Sequence, residues 1–409
     1  VASTLITTGA MLCTMIIWPL VSKRFQNAQR KKREKMRLKK YTEYVESKRE
    51  NIQAEMKIQR QILIDNYLPI SSTKEIIFSK KRNLWEREIE QEDFLDLRLG
   101  IGTTPLVGNV NFPQERFSLE TDDLLKEVYK LGKETRMLEN VPISLSFVQK
   151  NMSAIIGTSS NKRQFVDGLV LQMLAYHSYE DLRIVVFTNE KNVPYWEYLK
   201  VAPHTWSNDR AVRYFATNLD EAKEISLVLE KELQARKFKD NNGSRELNNL
   251  DYRHYKPYYV IFTDCYKEIR DIEIIKDVAS TQLNVGFSLI VLSPRLINIP
   301  NECKTFISIG DKKSGVFENE LVSNKQKEFL ADFDPTLNMH ECCKILANIP
   351  IDIAKESAQL PTAITFLEMY NVGMVEQLNI LNRWKQNDPT KSLQAPVGVD
   401  KTRELFKLD

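Results

Sequence analysis

The sequence predicts an α/β protein: a parallel β-sheet with helices on both faces, preceded by a membrane-spanning helix and a helical stalk. Three observations point to this. Val1 to Val21 carries no charged residue and is followed by a dense basic run. Ser22 to Asn66 contains neither proline nor glycine. From about Pro142 onward, short apolar runs alternate with longer helix-like stretches, as in a parallel sheet whose crossovers are helical.

Residues 1–22 are the expected span. About 20 apolar residues at roughly 1.5 Å rise cross a hydrocarbon core of about 30 Å. Trp18 and Pro19 lie where an interfacial tryptophan is expected. A secretory signal places its positive charge before the apolar run; here the charge comes after it. That flank is Lys23-Arg24, then Arg30-Lys31-Lys32-Arg33, Lys35, Arg37, Lys39 and Lys40, with Glu34 the only acid among them. Positive charge beside a span marks the cytoplasmic side, so the bulk of the chain is expected to be cytoplasmic. The same run can attract anionic lipid, at about 1 kcal/mol per basic residue near the surface.

Residues 23–67 read as a basic helical stalk, rich in Lys, Arg, Glu, Gln and Met. Its sparse apolar residues, among them Val45, Ile52, Met56 and Leu63, recur at three- and four-residue spacings and give a narrow stripe. Pro69 ends it. Residues 68–145 read as a small mixed unit: Ile76-Ile77-Phe78 as strand, Asn83 to Arg87 as a helix start, and Phe94 to Gly100 as an alternating, half-buried strand. Residues 146–350 carry the strand–helix alternation. Expected strands are Ser153–Ile156, Leu182–Thr188, Tyr258–Thr263, Phe287–Leu292 and Lys304–Ile309; expected helices are Arg163–His177, Ala211–Thr217, Asp220–Lys239 and Tyr266–Thr281. Residues 351–409 change character: two short helices, Thr362–Tyr370 and Val375–Trp384, then a linker-like end from Asp388 without a stop signal, as expected of a truncated chain.

Composition narrows the function. The chain has 409 residues and a net charge of only +3, unevenly spread. The five cysteines (Cys13, Cys265, Cys303, Cys342, Cys343) show no C-x-x-C spacing, and the four histidines are scattered. That pattern fits a reducing compartment and gives no metal site. A nucleic-acid translocase would need basic, aromatic-rich loops in its soluble part, whereas the basic excess lies beside the span, so no nucleic acid is expected.

The chemistry-bearing motif is Gly157-Thr158-Ser159-Ser160-Asn161-Lys162-Arg163, after an apolar strand and at the start of a helix. A phosphate loop of the form G-x-x-x-x-G-K-[ST] belongs there. Such a loop uses backbone N–H groups and a helix N-terminus to bind phosphate, while its lysine reaches the outer phosphates and its hydroxyl holds Mg²⁺. Gly157 and Lys162 are in register. Asn161 replaces the second glycine, and Arg163 puts a long cation where the metal-binding hydroxyl belongs. The partner strand Tyr258–Thr263 ends in Asp264, as a Walker B strand does, but Cys265 follows where a water-polarising glutamate is common. The loop and Asp264 are therefore a degenerate pocket: no catalytic residue, no metal ligand, and ATP at most weakly held. Full ATP hydrolysis is the alternative, and it lacks its hydroxyl. The helix Asp220–Lys239 has a clear apolar face, and its basic end (Arg236, Lys237, Lys239) is a candidate partner contact.

The order of motifs resembles one family. Leu84-Trp85-Glu86-Arg87, Asp93-Phe94-Leu95-Asp96-Leu97-Arg98-Leu99-Gly100-Ile101-Gly102, the degenerate loop, Leu169 to Ser178, Asp181 to Val186, and the tail Leu360-Pro361-Thr362 to Gly398 together resemble the EssC/EccC membrane ATPases of bacterial type VII secretion, in the FtsK/SpoIIIE-like class. The resemblance covers essentially the whole chain. It implies a RecA-like, P-loop-type fold for 146–350, a place as the often divergent first ATPase-like domain after the membrane, and a hexameric parent motor in the bacterial cell membrane. Further implied partners are the other subunits of the secretion membrane complex and WXG-type secreted substrates. The intact P-loops of the family's following domains are absent here, so their activity does not carry over.

Overall fold

The computed structural model describes residues 7–11, 14–15, 18–108, 111, 123–134, 137–158, 160–208, 210–241, 255–280, 284–310, 313–318, 327–351, 365–370, 372, 374–390, 394–399 and 405–408. Contacts divide the chain into two compact units, Val1–Asn348 and Ile349–Asp409.

The first unit begins with helix α1, Trp18–Asn66. Its upper part is exposed. Lower down Val45 is buried, Arg49 approaches Glu127 at 3.9 Å, and the Gln59 amide donates from Nε2 to Val107 O and accepts at Oε1 from Val107 N–H. Among the described residues no helix is long and apolar enough to cross a membrane. Residues 1–6, 12–13 and 16–17 of the expected span, 1–22, lie outside the described residues.

After Pro69, a second helix α2 runs Ile70–Phe78. This corrects the strand expected at Ile76-Ile77-Phe78: Ile70, Thr73, Ile76 and Ile77 are buried together at helical spacing, on one side. Helix α3, Asp123–Glu134, packs against α1.

A ten-stranded sheet forms the centre, in the order β2-β1-β10-β9-β8-β3-β7-β6-β4-β5. Its parallel part comprises β3 (Met152–Ile156), β4 (Leu182–Phe187), β5 (Phe215–Ala216), β6 (Tyr258–Thr263), β7 (Phe287–Ser293) and β8 (Thr305–Ser308). An antiparallel extension continues beyond β8: β9 (Ser314–Glu318), β10 (Lys327–Ala331), β1 (Asp96–Pro105) and β2 (Met137–Ser146). The wholly parallel sheet expected from sequence is therefore corrected to a mixed one. Residues 68–145, read as a small mixed unit, supply two strands to this same sheet, because β10 returns to pair with β1.

Helix α4 runs Ser160–Tyr176, α5 Leu219–Asn241, α6 Glu273–Ser280 and α7 Met339–Ala347. Ala222, Ile225, Leu229 and Leu233 of α5 and Ile274, Ile275 and Val278 of α6 form one buried cluster with Ala154, Val185, Ile261, Leu289 and Val291. Alternation in the strands turns Ile155, Ile184, Val186, Val260 and Ile290 to the opposite face. Helix α4 packs against α2, α7 and β1, and nearly every residue from Phe165 onward is buried. Three helix boundaries differ from expectation. Ala211–Thr217 is not helical; Phe215 and Ala216 pair with β4. Tyr266–Thr281 breaks into Tyr266–Ile269 and α6, with Ile272 buried at the break; Thr281 lies outside the described residues. Asn83 to Arg87 starts no helix, and Trp85 has φ 59°.

That unusual loop has a physical cause. The C-terminal end of α4 is buried, so its last carbonyl groups need protein donors. Trp85 donates its indole N–H to Leu174 O at 3.0 Å and its backbone N–H to Ala175 O at 2.8 Å. Arg87 N–H donates to Tyr176 O, and His204 Nε2–H to His177 O at 2.9 Å. His177 is fully buried: Nε2 accepts from Leu95 N–H at 3.3 Å, so Nδ1 carries the proton donated to Arg87 O at 3.0 Å.

The second unit, described by itself, holds short helical segments at Phe366–Met369, Val375–Leu378 and Ile380–Gln386. The helix expected over Val375–Trp384 is interrupted at Asn379, which is left-handed at φ 50°. Ala395–Val399 and Leu405–Leu408 pair as an antiparallel ribbon, where sequence suggested only linker; Pro396 and Gly398 mask the strand and mark its register shift. Residues 362–364 of the first expected helix lie outside the described residues.

Burial pushes both His177 and His204 down to about 3 from an ordinary 6.5. The unfolded chain therefore binds more protons than the folded one between those values. Stability should be full above pH 6.5 and fall as the pH drops, by up to about 1.4 kcal/mol per pH unit for each imidazole. Thermal unfolding followed from pH 7.5 to 5 checks this; a flat melting temperature would mean that the imidazoles are hydrated or charged in the fold.

Candidate functional site

The site lies at the C-terminal ends of the parallel strands, where crossovers leave the sheet in opposite directions and a crevice opens. Strand β3 delivers Gly157, β6 delivers Asp264, and the exits of β4 and β7 close the sides. Gly157 is needed for close approach: a side chain there would meet Ile309 O at 2.9 Å. Its N–H donates to Ser293 O at 3.2 Å, which ties the loop to β7.

Thr158, Ser160, Lys162, Arg163 and Asp264 line one cavity of ≈ 630 Å³, together with Gln164, Asn192, Tyr195 and Leu292. Gly157 and Asn161 are not among the lining residues, and Ser159 lies outside the described residues. Lys162 is half-buried; desolvation lowers its pKa, and the charge of Asp264 opposes that shift.

Arg163, at the position of the metal-binding hydroxyl, is held by its own helix. It pairs with Asp167 one turn later at 2.8 Å and donates to Tyr198 Oη at 3.3 Å. Tyr198 Oη in turn donates to Asp167 at 2.9 Å. The guanidinium lies 4.6 Å from the Trp196 ring centroid and 5.5 Å from that of Tyr195, within cation–π range. Burial pushes the Asp167 carboxyl up, with Arg163 and Tyr198 pulling it back. The Asp264 carboxylate is also engaged: Thr188 Oγ1 donates to one oxygen at 2.8 Å and Trp196 Nε1 to the other at 2.9 Å. Next to it, burial pushes the Cys265 thiol up to about 11, and its Sγ donates to Phe187 O. The cavity thus offers hydroxyls and an ammonium to an anion, and the residue after Asp264 is a protonated thiol rather than a base.

Sequence reasoning found the loop and Asp264 but not their partners. The Arg163–Asp167 pair at i,i+4 was legible in principle. Thr188 and Trp196 gave no signal, because they reach Asp264 only through the parallel register of β4 and β6 and a helical turn at Val193–Trp196. Replacing Arg163 by alanine should leave a buried carboxylate without its cation and cost about 2 kcal/mol, read as a fall in melting temperature. Adding Asp167→Asn should recover most of the loss; no recovery would mean that the guanidinium's packing on Trp196, not its charge, holds the site.

No family model matches the chain. The type VII secretion system protein EssC of Staphylococcus aureus (strain MSSA476) is 26% identical over 381 residues, covering 91% of this chain and 25% of that protein. The ESX secretion system protein EccC of Geobacillus thermodenitrificans (strain NG80-2) is 23% identical over 405 residues, covering 98% of this chain and 26% of that protein. The chain thus spans about a quarter of the length of the curated relatives it matches. The cytoplasmic domain of the Thermomonospora curvata type VII secretion ATPase EccC, a solved structure, aligns with 70% of this chain and 35% of its own at a TM-score of 0.46 and 14% identity, a score too low to carry an argument. With the order of its motifs, these matches make the chain a distant homologue, over most of its length, of the EssC/EccC type VII secretion ATPase family.

Proposed function

We propose that this chain is a membrane-anchored coupling part of a type VII secretion motor in the bacterial cell membrane. On this reading it links the membrane pore to downstream ATPase domains, within a homo-oligomeric, hexameric parent that exports WXG-type proteins. Residues 1–22 anchor it, 23–67 form the stalk, 68–350 form the ATPase-like head, and 351–409 lead toward the next domain. The observation that carries this reading is Arg163, folded onto Asp167 and Trp196 where a hydrolysing loop keeps a metal-binding hydroxyl. Asp264, with both oxygens engaged by the protein, supports it.

Isolated residues 68–409 should therefore hydrolyse no ATP above background. Mg²⁺-dependent turnover that disappears on Lys162→Ala would sink the proposal. A second reading, weak nucleotide binding without turnover, is favoured by the open cavity and by Lys162 on its wall. A fluorescent ATP analogue titrated onto wild type and Lys162→Ala separates it: saturable binding lost in the variant supports the second reading.

Export distinguishes transmission from chemistry. In an otherwise complete motor, Lys162→Ala should leave export of a WXG-type substrate nearly intact. Ile52→Pro, in the interior of α1, should abolish it, since proline there costs about 3 kcal/mol or more and kinks the rod. Membrane insertion of both variants is checked first by fractionation. Equal loss in both would mean that phosphate chemistry in this pocket matters.

A further inference from the structure

The end of α1 is gripped by two buried arginines. Arg87 Nη2 donates to Asn66 O at 2.7 Å, and Arg98 Nη1 to Tyr67 O at 2.8 Å. Neither guanidinium is free to follow the stalk. Arg87 also donates to Asp96 O at 2.7 Å, pairs with Asp93 at 3.1 Å and lies 4.4 Å from the Tyr176 ring centroid. Arg98 pairs with Asp332 at 2.5 Å, and its backbone N–H and O exchange hydrogen bonds with Gln172 of α4, both at 2.9 Å. The stalk's terminal carbonyls are thus fastened to β1 and to α4.

The chain then turns at Pro69 and meets α4 a second time. Gly168 has Ile70 against it so closely that a side chain there would come within 2.6 Å of Ile70 Cδ1. Thr73 Oγ1 and Tyr176 Oη lie 2.9 Å apart, further along both helices. Gly168 follows directly on Asp167, the anchor of Arg163. One rigid helix therefore carries the stalk's seat in its middle and the pocket residues Lys162 and Arg163 at its start.

We propose that the seat of Ile70 on Gly168, backed by the Arg87 and Arg98 grip, is the route by which stalk displacement reaches the pocket end of α4. Ile70 and Gly168 are positioning residues on this route. This rests on the coupling reading above and names its mechanical path. A Cβ at Gly168 would meet Ile70 Cδ1 at 2.6 Å and Cγ1 at 3.4 Å; on this route it displaces Ile70 and loosens both ends, and removing Cδ1 from Ile70 relieves the closer contact.

Hydrogen–deuterium exchange on the full chain in nanodiscs tests the route. Gly168→Ala should speed amide exchange about tenfold both in residues 60–78 and in residues 160–166, while β6 and β7 stay protected. Ile70→Val combined with Gly168→Ala should return both segments to wild-type rates. Faster exchange in only one of the two segments, or no rescue by Ile70→Val, overturns the proposal. If Gly168→Ala also exposes β6 and β7, Ile70→Ala alone is read instead: the same paired loosening is expected, and a response at only one end overturns the route as before. The measurement needs no export, so a failed route and a failed coupling reading are distinguishable: Lys162→Ala abolishing export with the paired exchange intact would remove the reading and leave the route standing.

Discussion

The constraint on which this structure depends is the burial of the C-terminal end of α4. A helix that stops inside a protein leaves carbonyl groups that cost about 1–3 kcal/mol each if unpaired. Leu174, Ala175, Tyr176 and His177 present such groups, and Trp85, Arg87 and His204 supply the donors. Satisfying them bends the Trp85 backbone into the left-handed region and fixes the position of Arg87. Arg87 can then grip both the stalk end and β1. The capping of one helix thereby sets where the stalk joins the head.

The same helix also shapes the pocket at its other end. Its N-terminus still follows β3 and still faces Asp264 across the crevice, as in a nucleotide site. The groups at the metal-binding positions are engaged by the protein itself. Arg163 is bound by Asp167, Tyr198 and the Trp196 face, and Asp264 by Thr188 and Trp196. Trp196 takes part in both groups, so one fully buried side chain ties the loop helix to the strand that carries the aspartate. Arg163, Asp167 and Asp264 are thus each tied to fixed partners, while Lys162 stands on the cavity wall.

The motifs quoted for the family resemblance also acquire physical roles. Trp85 and Arg87 close the end of α4, and His177 carries the bond between Leu95 and Arg87. Arg98 and Gln172 join β1 to α4, and Asp96 accepts from Tyr67 at the foot of the stalk. They are a fastening between stalk, sheet and loop helix, and not ligands of the pocket.

The sequence by itself determined the elements whose signal is local. The long helix from Ser22 to Asn66, the continuous apolar strands β3, β4, β6 and β7, and the helix after Gly157 were legible from period and composition, because burial on both faces or on one stripe dictates residue type along the chain. The loop and Asp264 were legible from motif spacing, and the fold brings Thr158, Ser160, Lys162, Arg163 and Asp264 to one cavity. The tertiary structure alone decided the rest. The antiparallel extension depends on β10 meeting β1, more than two hundred residues apart in the chain. Ile76-Ile77-Phe78 became helix because α4 offered its face a surface, and Trp85 left the helical region because buried carbonyls needed its N–H groups. Partners of charge and hydrogen bond separated by long stretches of chain leave no periodic trace, so the fastening of the stalk and the closure around Asp264 became visible only once the strands were in register.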